Sequence, residues 1–141
     1  MKRIKNSRDG YHLNSKYWQD YKSNLPPIDP RLEAVAIGMI LSDATMYRKS
    51  KEALIKFEQG YLQEAFLLHL FETFKDYCWM IEPGKRYTLT GPRKGLVKSL
   101  WFKTFSHQSF TKIWNLFYVN GSKTIQKGLI SDNLTVLGLA Y

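Results

Sequence analysis

The feature that most constrains the fold of this chain is residues 36–44, Ala-Ile-Gly-Met-Ile-Leu-Ser-Asp-Ala, at the end of a predicted helix. Asp29 is suited to cap the N-terminus of that helix, and Pro30 is suited to its first turn. Residues 32–41 are almost continuously apolar, with Glu33 as the main interruption. The sequence therefore predicts a buried helix that ends close to Asp43.

Two properties of this helix predict its surroundings. Small residues recur along it at Ala36, Gly38, Ser42 and Ala44, which would let the backbone of a second helix approach closely. Asp43 places a carboxylate near the negative end of the helix dipole, which costs about 0.3–1 kcal/mol unless a cation is near. We therefore expect a tightly packed helix partner and a positive charge near Asp43.

Residues 36–44 resemble the motif that names the LAGLIDADG homing endonucleases. More specific is the order and spacing of Phe105-Ser106-His107-Gln108-Ser109-Phe110, Lys123-Thr124-Ile125 and residues 134–141, which is similar to the organellar group I intron enzymes of that family. The resemblance covers nearly the whole chain from about Asn14. It implies an α+β fold, a single αββαββα half-saddle whose four-stranded antiparallel sheet has a basic concave face.

Composition narrows the function classes. A chain of 141 residues with 44% hydrophobic and 15% aromatic residues predicts one domain with a real core. The net charge of +9 has two explanations, a polyanionic partner or a role in solubility alone. The first is favoured, and nucleic acid is the first candidate partner. Cys78 is the single cysteine, which excludes an internal disulfide framework and fits a reducing compartment or an organelle matrix. The sequence contains neither a run of eighteen apolar residues nor a signal-peptide pattern. It therefore predicts neither membrane insertion nor secretion.

Three segments are predicted along the chain. Residues 1–28 form a basic extension with interleaved aromatic residues, which can lie in a groove of nucleic acid or dock through a helix over residues 15–21. These two interpretations are compatible. Residues 29–120 form the LAGLIDADG repeat, and residues 121–141 form a linker and the start of a second motif helix.

The periodicity changes after Asp43. Strands are predicted over residues 45–49, 53–58, 85–90 and 96–105, and helices over 61–74 and 108–117. In the second strand Ala53, Ile55 and Phe57 share one face, and the other face carries Lys56 and Glu58. Imperfect alternation in the fourth strand predicts a bulge.

Charge is segregated between two of these segments. Residues 84–107 carry six lysines and arginines and no acid, whereas residues 61–82 carry four acids and Lys75 alone. This pattern predicts a basic sheet face with an acidic back, as in an oriented polyanion binder. The predicted nucleic-acid-binding residues are Arg48, Lys49, Lys51, Lys56, Lys85, Arg86, Arg93, Lys94, Lys98 and Lys103.

The resemblance also implies catalytic roles. Members of the family cut both DNA strands with two metal-binding acids, one from each motif helix, and Asp43 matches one of them. Lys123 matches a basic residue placed near the scissile phosphates, whereas Lys56 replaces a glutamine of the similar enzymes. Residues 134–141 resemble the start of the second motif helix and stop before its acid, and Gly138 and Ala140 are small enough to pack on residues 36–42.

Three functions follow as alternatives. The chain is a catalytically incomplete protein that grips structured RNA, such as an intron or rRNA, or DNA; or one half of a split homing endonuclease that needs a second half; or an inert remnant. Mg²⁺ is expected only if the chain is catalytic with a partner, so its status as an enzyme stays open. Expected partners are nucleic acid and either a second LAGLIDADG half or ribosomal proteins, in a mitochondrion or another organelle matrix. The target site and the choice between RNA and DNA also stay open.

Overall fold

The computed structural model describes residues 15–48, 51–119 and 122–123. Over these residues the fold is α+β, and the predicted order of helix, two strands, helix, two strands and helix is confirmed. One further helix precedes this series of elements, and two short strands follow it. The elements are α1 (Lys16–Ser23), α2 (Pro30–Ser42), β1 (Thr45–Arg48), β2 (Ala53–Gly60), α3 (Glu64–Phe74), β3 (Gly84–Tyr87), β4 (Val97–Lys103), α4 (Gln108–Phe117), β5 (Tyr118–Val119) and β6 (Ser122–Lys123).

The main sheet has four strands in the order β1-β2-β4-β3. Strand β4 pairs antiparallel with both β2 and β3, and Phe57 lies directly opposite Phe102. The register shifts between Arg86 and Tyr87, which confirms the predicted irregularity in this hairpin. Such a shift leaves an extra residue on one strand and increases the local twist.

The second hairpin is shorter than predicted. Strand β3 ends at Tyr87 instead of residue 90, because the N–H groups of Thr88 and Gly95 bond within the turn, to the carbonyls of Leu96 and Thr88. Gly91 and Gly95 have φ values of 81° and 85°, in the left-handed region that favours glycine. These two glycines thus allow the chain to reverse between β3 and β4.

Contacts divide the described residues into two compact units, and the division falls within β2 between Ile55 and Lys56. The first unit contains α1 and the chain from Lys56 to Phe105. The second contains the chain from Pro26 to Ile55 and the described residues from Ser106 onward.

In the first unit α3 packs on one face of the sheet. The ring of Phe57 lies 5.0 Å from that of Phe74 and 4.7 Å from that of Phe102, and Phe71 meets Phe102 edge-on at 5.3 Å. Burial alternates along β2 as its sequence predicts, so the core face and the polar face are confirmed.

Helix α1 belongs to the same unit and is held by Trp18. The Trp18 side chain is 1% exposed, and its ring packs against Tyr21 and Phe105 at centroid distances of 5.3 and 5.2 Å. The Tyr21 hydroxyl donates a hydrogen bond of 2.7 Å to the carbonyl of Asp76. The predicted helix with docked aromatic residues is thus confirmed, whereas residues 1–14 lie outside the described part.

The second unit contains α2 and α4. Asp29 caps α2, as predicted, by accepting a hydrogen bond of 2.8 Å from the N–H of Leu32, and residues 34–40 are all buried. Helix α4 has the predicted bounds. His107 caps it, because its Nδ1 accepts a hydrogen bond of 3.1 Å from the N–H of Ser109. Buried Phe110, Ile113 and Phe117 then anchor one side of α4.

Within the described residues, no helix combines the length and the apolar character that crossing a membrane requires.

Candidate nucleic-acid interface

The first unit presents a polar sheet face on the side opposite α3. Alternation along the strands and the pairing register place six side chains on this face, and we call them the polar face: Lys56, Glu58, Arg86, Ser99, Trp101 and Lys103. Lys56 lies directly opposite Lys103, and Arg86 lies directly opposite Ser99. Three cations and one carboxylate are therefore brought together by β2 and by the hairpin of β3 and β4, which are distant in sequence from each other.

Glu58 is the centre of the polar contacts on this face. Its Oε2 accepts a hydrogen bond of 2.9 Å from Arg86 Nε and one of 2.6 Å from the Ser99 hydroxyl. Its Oε1 lies 3.4 Å from Lys56 Nζ. Partial burial acts to raise the pKa of Glu58, but the hydrogen bond from Ser99 and the charges of Lys56 and Arg86 outweigh it and hold that pKa below the ordinary value of 4.5. Glu58 is thus anionic at neutral pH, with partners on both oxygens.

Trp101 lies between two lysines on the polar face. The Nζ atoms of Lys56 and Lys103 are each 5.7 Å from the centroid of its ring. Like charges directly opposite each other on neighbouring strands destabilise a sheet, and an aromatic ring near two ammonium groups offsets part of this cost. A Cβ on Gly84 would lie 2.5 Å from Trp101 Cε2, so the ring needs a glycine at this point of β3.

Arg93 has a structural contact that its sequence position did not indicate. Its guanidinium lies 3.7 Å from the centroid of the Tyr61 ring, and its Nη2 donates a hydrogen bond of 2.9 Å to the carbonyl of Val97. Arg93 therefore holds the turn of the hairpin against the segment that precedes α3. Lys94 and Lys98, by contrast, are exposed at the turn and at the start of β4.

Lys85 is separated from the polar face by the strand register. It pairs with Leu100, whose side chain is buried, so Lys85 points to the same side of the sheet as Leu100, away from Arg86. Its side chain is exposed at the edge of the sheet. Of the six cations in the predicted basic hairpin, the register thus brings Arg86 and Lys103 together on one face.

Four acidic residues of the first unit lie in α3 and the segment that follows it, whereas Glu58 lies on the polar face. Glu64 and Glu72 are exposed on α3, which packs on the core face of the sheet, and Asp76 and Glu82 are exposed in the segment that follows. Glu72 pairs with Lys75 at 3.2 Å. The acids of α3 therefore lie on the side predicted to be acidic, whereas Glu58 lies among the cations of the polar face and Lys85 points away from them.

Asp43 belongs to the second unit, where it terminates α2. Its side chain is exposed, and its N–H donates a hydrogen bond of 2.8 Å to the carbonyl of Met39. The last turn of α2 contains no basic residue. The cation near Asp43 therefore stays a prediction, and it would come from another element or from a metal ion. Arg48 and Lys51 are exposed in the same unit, and Lys49 lies outside the described residues.

Asp43 suits Mg²⁺ as a single ligand. Carboxylate oxygen is the donor that Mg²⁺ prefers, and this ion is commonly held by one or two carboxylates together with water and phosphate oxygens. Across the described ranges, no cluster of three or more His, Cys, Asp or Glu side chains could hold a metal. Further ligands would therefore come from a nucleic acid or from residues beyond these ranges.

The structure describes only some of the residues that were predicted to pack against a second helix. Ala36 and Gly38 are buried, whereas Ser42 is exposed and its hydroxyl donates to the carbonyls of Gly38 and Met39 at 3.3 and 3.2 Å. The backbone of Lys123 lies in β6 opposite Tyr118, and its side chain is outside the described part. Gly138 and Ala140 also lie outside it, so the predicted helix pair stays a prediction.

Comparison with known proteins identifies the family. A profile of the LAGLIDADG DNA endonuclease family matches residues 33–141. The chain belongs to this family. A curated relative, the probable intron-encoded DNA endonuclease 3 of Mycosarcoma maydis, is 59% identical over 51 residues, which are 33% of this chain and 38% of that protein.

A solved structure confirms the half-saddle fold of this LAGLIDADG chain. The homing endonuclease I-WcaI, bound to its DNA recognition sequence, matches with a TM-score of 0.83 and 27% identity over 98% of the chain. The match covers 61% of I-WcaI. This LAGLIDADG chain thus spans less than two thirds of the length of either relative.

Several residues of the polar face were not predicted from the sequence. Glu58, Ser99 and Trp101 were not predicted as site residues, and Gly84 was not singled out. The alternation of β2 did place Glu58 beside Lys56 on one face. The missing signal was the register of β4 and β3, because only the register shows which side chains Glu58 faces.

Proposed function

We propose that this LAGLIDADG chain binds duplex DNA with the polar face of its first unit, and that Asp43 supplies one metal-binding carboxylate of a homing endonuclease site. The observation that carries the proposal is the arrangement of Lys56, Arg86 and Lys103 on one sheet face, away from the acidic side of α3. The match to an enzyme solved with its DNA recognition sequence supports DNA as the polyanion.

The shape of the polar face suits a DNA groove. The major groove of B-form DNA is wide enough to admit a two-stranded β-ribbon, whereas side chains cannot reach into the deep, narrow major groove of an RNA helix. Hairpin β3–β4 is such a ribbon, and its exposed lysines Lys94 and Lys98 extend the positive charge toward its tip. Contacts between these cations and phosphates would release counterions and make binding strongly dependent on salt.

Cleavage would require a second motif half. Hydrolysis with two metal ions needs oxygen ligands on both sides of the scissile phosphate, and Asp43 supplies one carboxylate at one helix end. Mg²⁺, when bound, would stabilise the charge that develops on the phosphate. The second half would come from a second chain or from further sequence. By itself the 141-residue chain would then be a DNA-binding half that makes no double-strand breaks.

Lys56 favours binding over metal chemistry. An ammonium group neutralises phosphate but repels a divalent cation, and Lys56 already contacts Glu58 and the Trp101 ring on the polar face. The intron-encoded relative supports an organelle, such as a mitochondrion, as the place where this function is exerted.

Electrophoretic mobility shifts with the purified chain test this proposal. The probes are a 30-base-pair duplex of random sequence and a structured RNA hairpin of equal charge, each with and without magnesium. We expect the duplex to be bound more tightly than the RNA, and magnesium to produce no linearisation of any plasmid in a library of randomised inserts. Tighter binding of the RNA hairpin would favour structured RNA as the partner. Magnesium-dependent linearisation by the chain alone would refute the need for a second half.

A further inference from the structure

Arg86 and Glu58 form the most constrained ion pair on the polar face. Arg86 donates through Nε to Glu58 Oε2 at 2.9 Å, while about half of the Arg86 side chain, 51%, is exposed. A guanidinium is planar and carries five N–H donors, so a contact at Nε fixes the direction of the plane and leaves the donors of the two terminal nitrogens at its outer end. Glu58 thus fixes the orientation of the Arg86 guanidinium, while the outer end of the guanidinium stays exposed to solvent.

Both carboxylate oxygens of Glu58 already have partners on the polar face. Its Oε2 accepts from Arg86 and from Ser99, and its Oε1 lies 3.4 Å from Lys56 Nζ. A carboxylate on a DNA-binding face repels phosphates, which weakens binding to every sequence alike. Any gain from Glu58 in DNA binding therefore comes through the cations that it orients.

Lys56 and Lys103 differ from Arg86 in the shape of the charged group. Both ammonium groups lie beside the Trp101 ring and are compact charges without a fixed plane. Charges of this kind suit phosphate oxygens, which carry no sequence information. A guanidinium fixed at Nε suits the two acceptors N7 and O6 of guanine, which arginine contacts in a bidentate manner in the major groove.

We propose that Arg86 reads a guanine in the major groove of duplex DNA, and that Glu58 is the positioning residue that makes this contact selective. The inference rests on the proposed function, since it requires duplex DNA on the polar face. It divides that face into phosphate-binding lysines and one base-reading arginine, with Glu58 and Ser99 fixing the geometry of the arginine.

The test is base preference, measured by selection from a duplex library with fully randomised positions. The full chain is compared with Arg86→Lys, which keeps the charge but lacks the planar fork, and with Glu58→Gln, which removes the charge that orients Arg86. Arg31→Lys and Glu72→Gln are the matched controls, because Arg31 is exposed on α2 and Glu72 is an exposed carboxylate paired with Lys75 on the acidic side. Affinity for a random-sequence duplex is measured for each variant by fluorescence anisotropy.

We expect the parent chain to select guanine at one position, and both polar-face variants to lose that preference by about tenfold or more. Arg86→Lys should bind random duplex with nearly the parent affinity. Glu58→Gln should bind it more tightly, since one negative charge is removed. The two controls should keep the guanine preference.

Two results would overturn the inference and leave the proposed function in place. One is a parent base preference that neither variant alters, and the other is an equal loss at every position, which a merely structural role for the pair would produce. Absence of duplex binding by the parent chain would instead overturn the proposed function, and the inference with it.

Discussion

At the scale of single residues, Glu58 shows how partners outweigh burial. Its side chain is 32% exposed, and the partial loss of water acts to raise the pKa of its carboxyl. The hydrogen bond from Ser99 and the charges of Lys56 and Arg86 act in the opposite direction and prevail. The folded state therefore stabilises the anion more than the unfolded chain does.

The first prediction concerns pH. Because the folded pKa of Glu58 lies below 4.5, its contribution to stability is fully present above that pH and is lost as the pH falls through the folded pKa. Glu58→Gln should accordingly lower the free energy of unfolding at pH 7, and the difference from the parent should shrink below about pH 4.5. Urea denaturation across this range measures it. A difference that stays constant down to pH 3 would argue against the ion network.

The second prediction concerns Gly84. A Cβ at this position would lie 2.5 Å from Trp101 Cε2, so Gly84→Ala has to displace the ring and should cost about 1–3 kcal/mol of stability. Gly60→Ala is the matched control, because nothing lies within 4 Å of its ideal Cβ and its φ of −62° suits alanine. Urea denaturation of the two variants compares them. Equal stability in both would show that Trp101 does not occupy the space beside Gly84.

At the scale of elements, the pattern of neighbouring residues predicted those helices and strand faces that depend on neighbouring residues alone. Helix α4 has its predicted bounds because its apolar face is readable from neighbouring residues, whereas the cap at His107 was found only in the structure. The two faces of β2 were predicted for the same reason. The ends of β3 and β4 were not, since they depend on hydrogen bonds across the turn. The contact of Arg93 with Tyr61 joins segments far apart in the chain, and no local pattern encodes it.

The third prediction belongs to α1. A helix of eight residues is marginal in water by itself, so its order comes from the packing of Trp18 on Phe105. Trp18→Ala should lower the free energy of unfolding by about 3–5 kcal/mol. Gln19→Ala, at an exposed position of the same helix, should change it by less than about 0.5 kcal/mol. Thermal unfolding followed by circular dichroism distinguishes them, and similar melting of both variants would mean that α1 is not docked.

At the scale of the whole molecule, the family was readable from sequence and the interface only in part. The motif helix and the spacing of residues 105–141 pointed to the LAGLIDADG family, which the profile over residues 33–141 confirms. The ten cations predicted to bind nucleic acid were chosen by charge alone. Charge does not reveal that Arg93 supports a turn or that Lys85 and Arg86 point to opposite sides of the sheet, because both depend on tertiary pairing.

The salt dependence of binding shows whether the polar face contacts the phosphates of duplex DNA. The variant Lys56→Gln, Arg86→Gln, Lys103→Gln removes three charges from the polar face, and Lys16→Gln, Lys75→Gln, Lys112→Gln removes three exposed charges elsewhere. We expect the slope of log affinity against log salt to become shallower by about two for the first variant, one for each lysine that binds phosphate, and to change by less than one for the second. Equal slopes for the two variants would contradict the account.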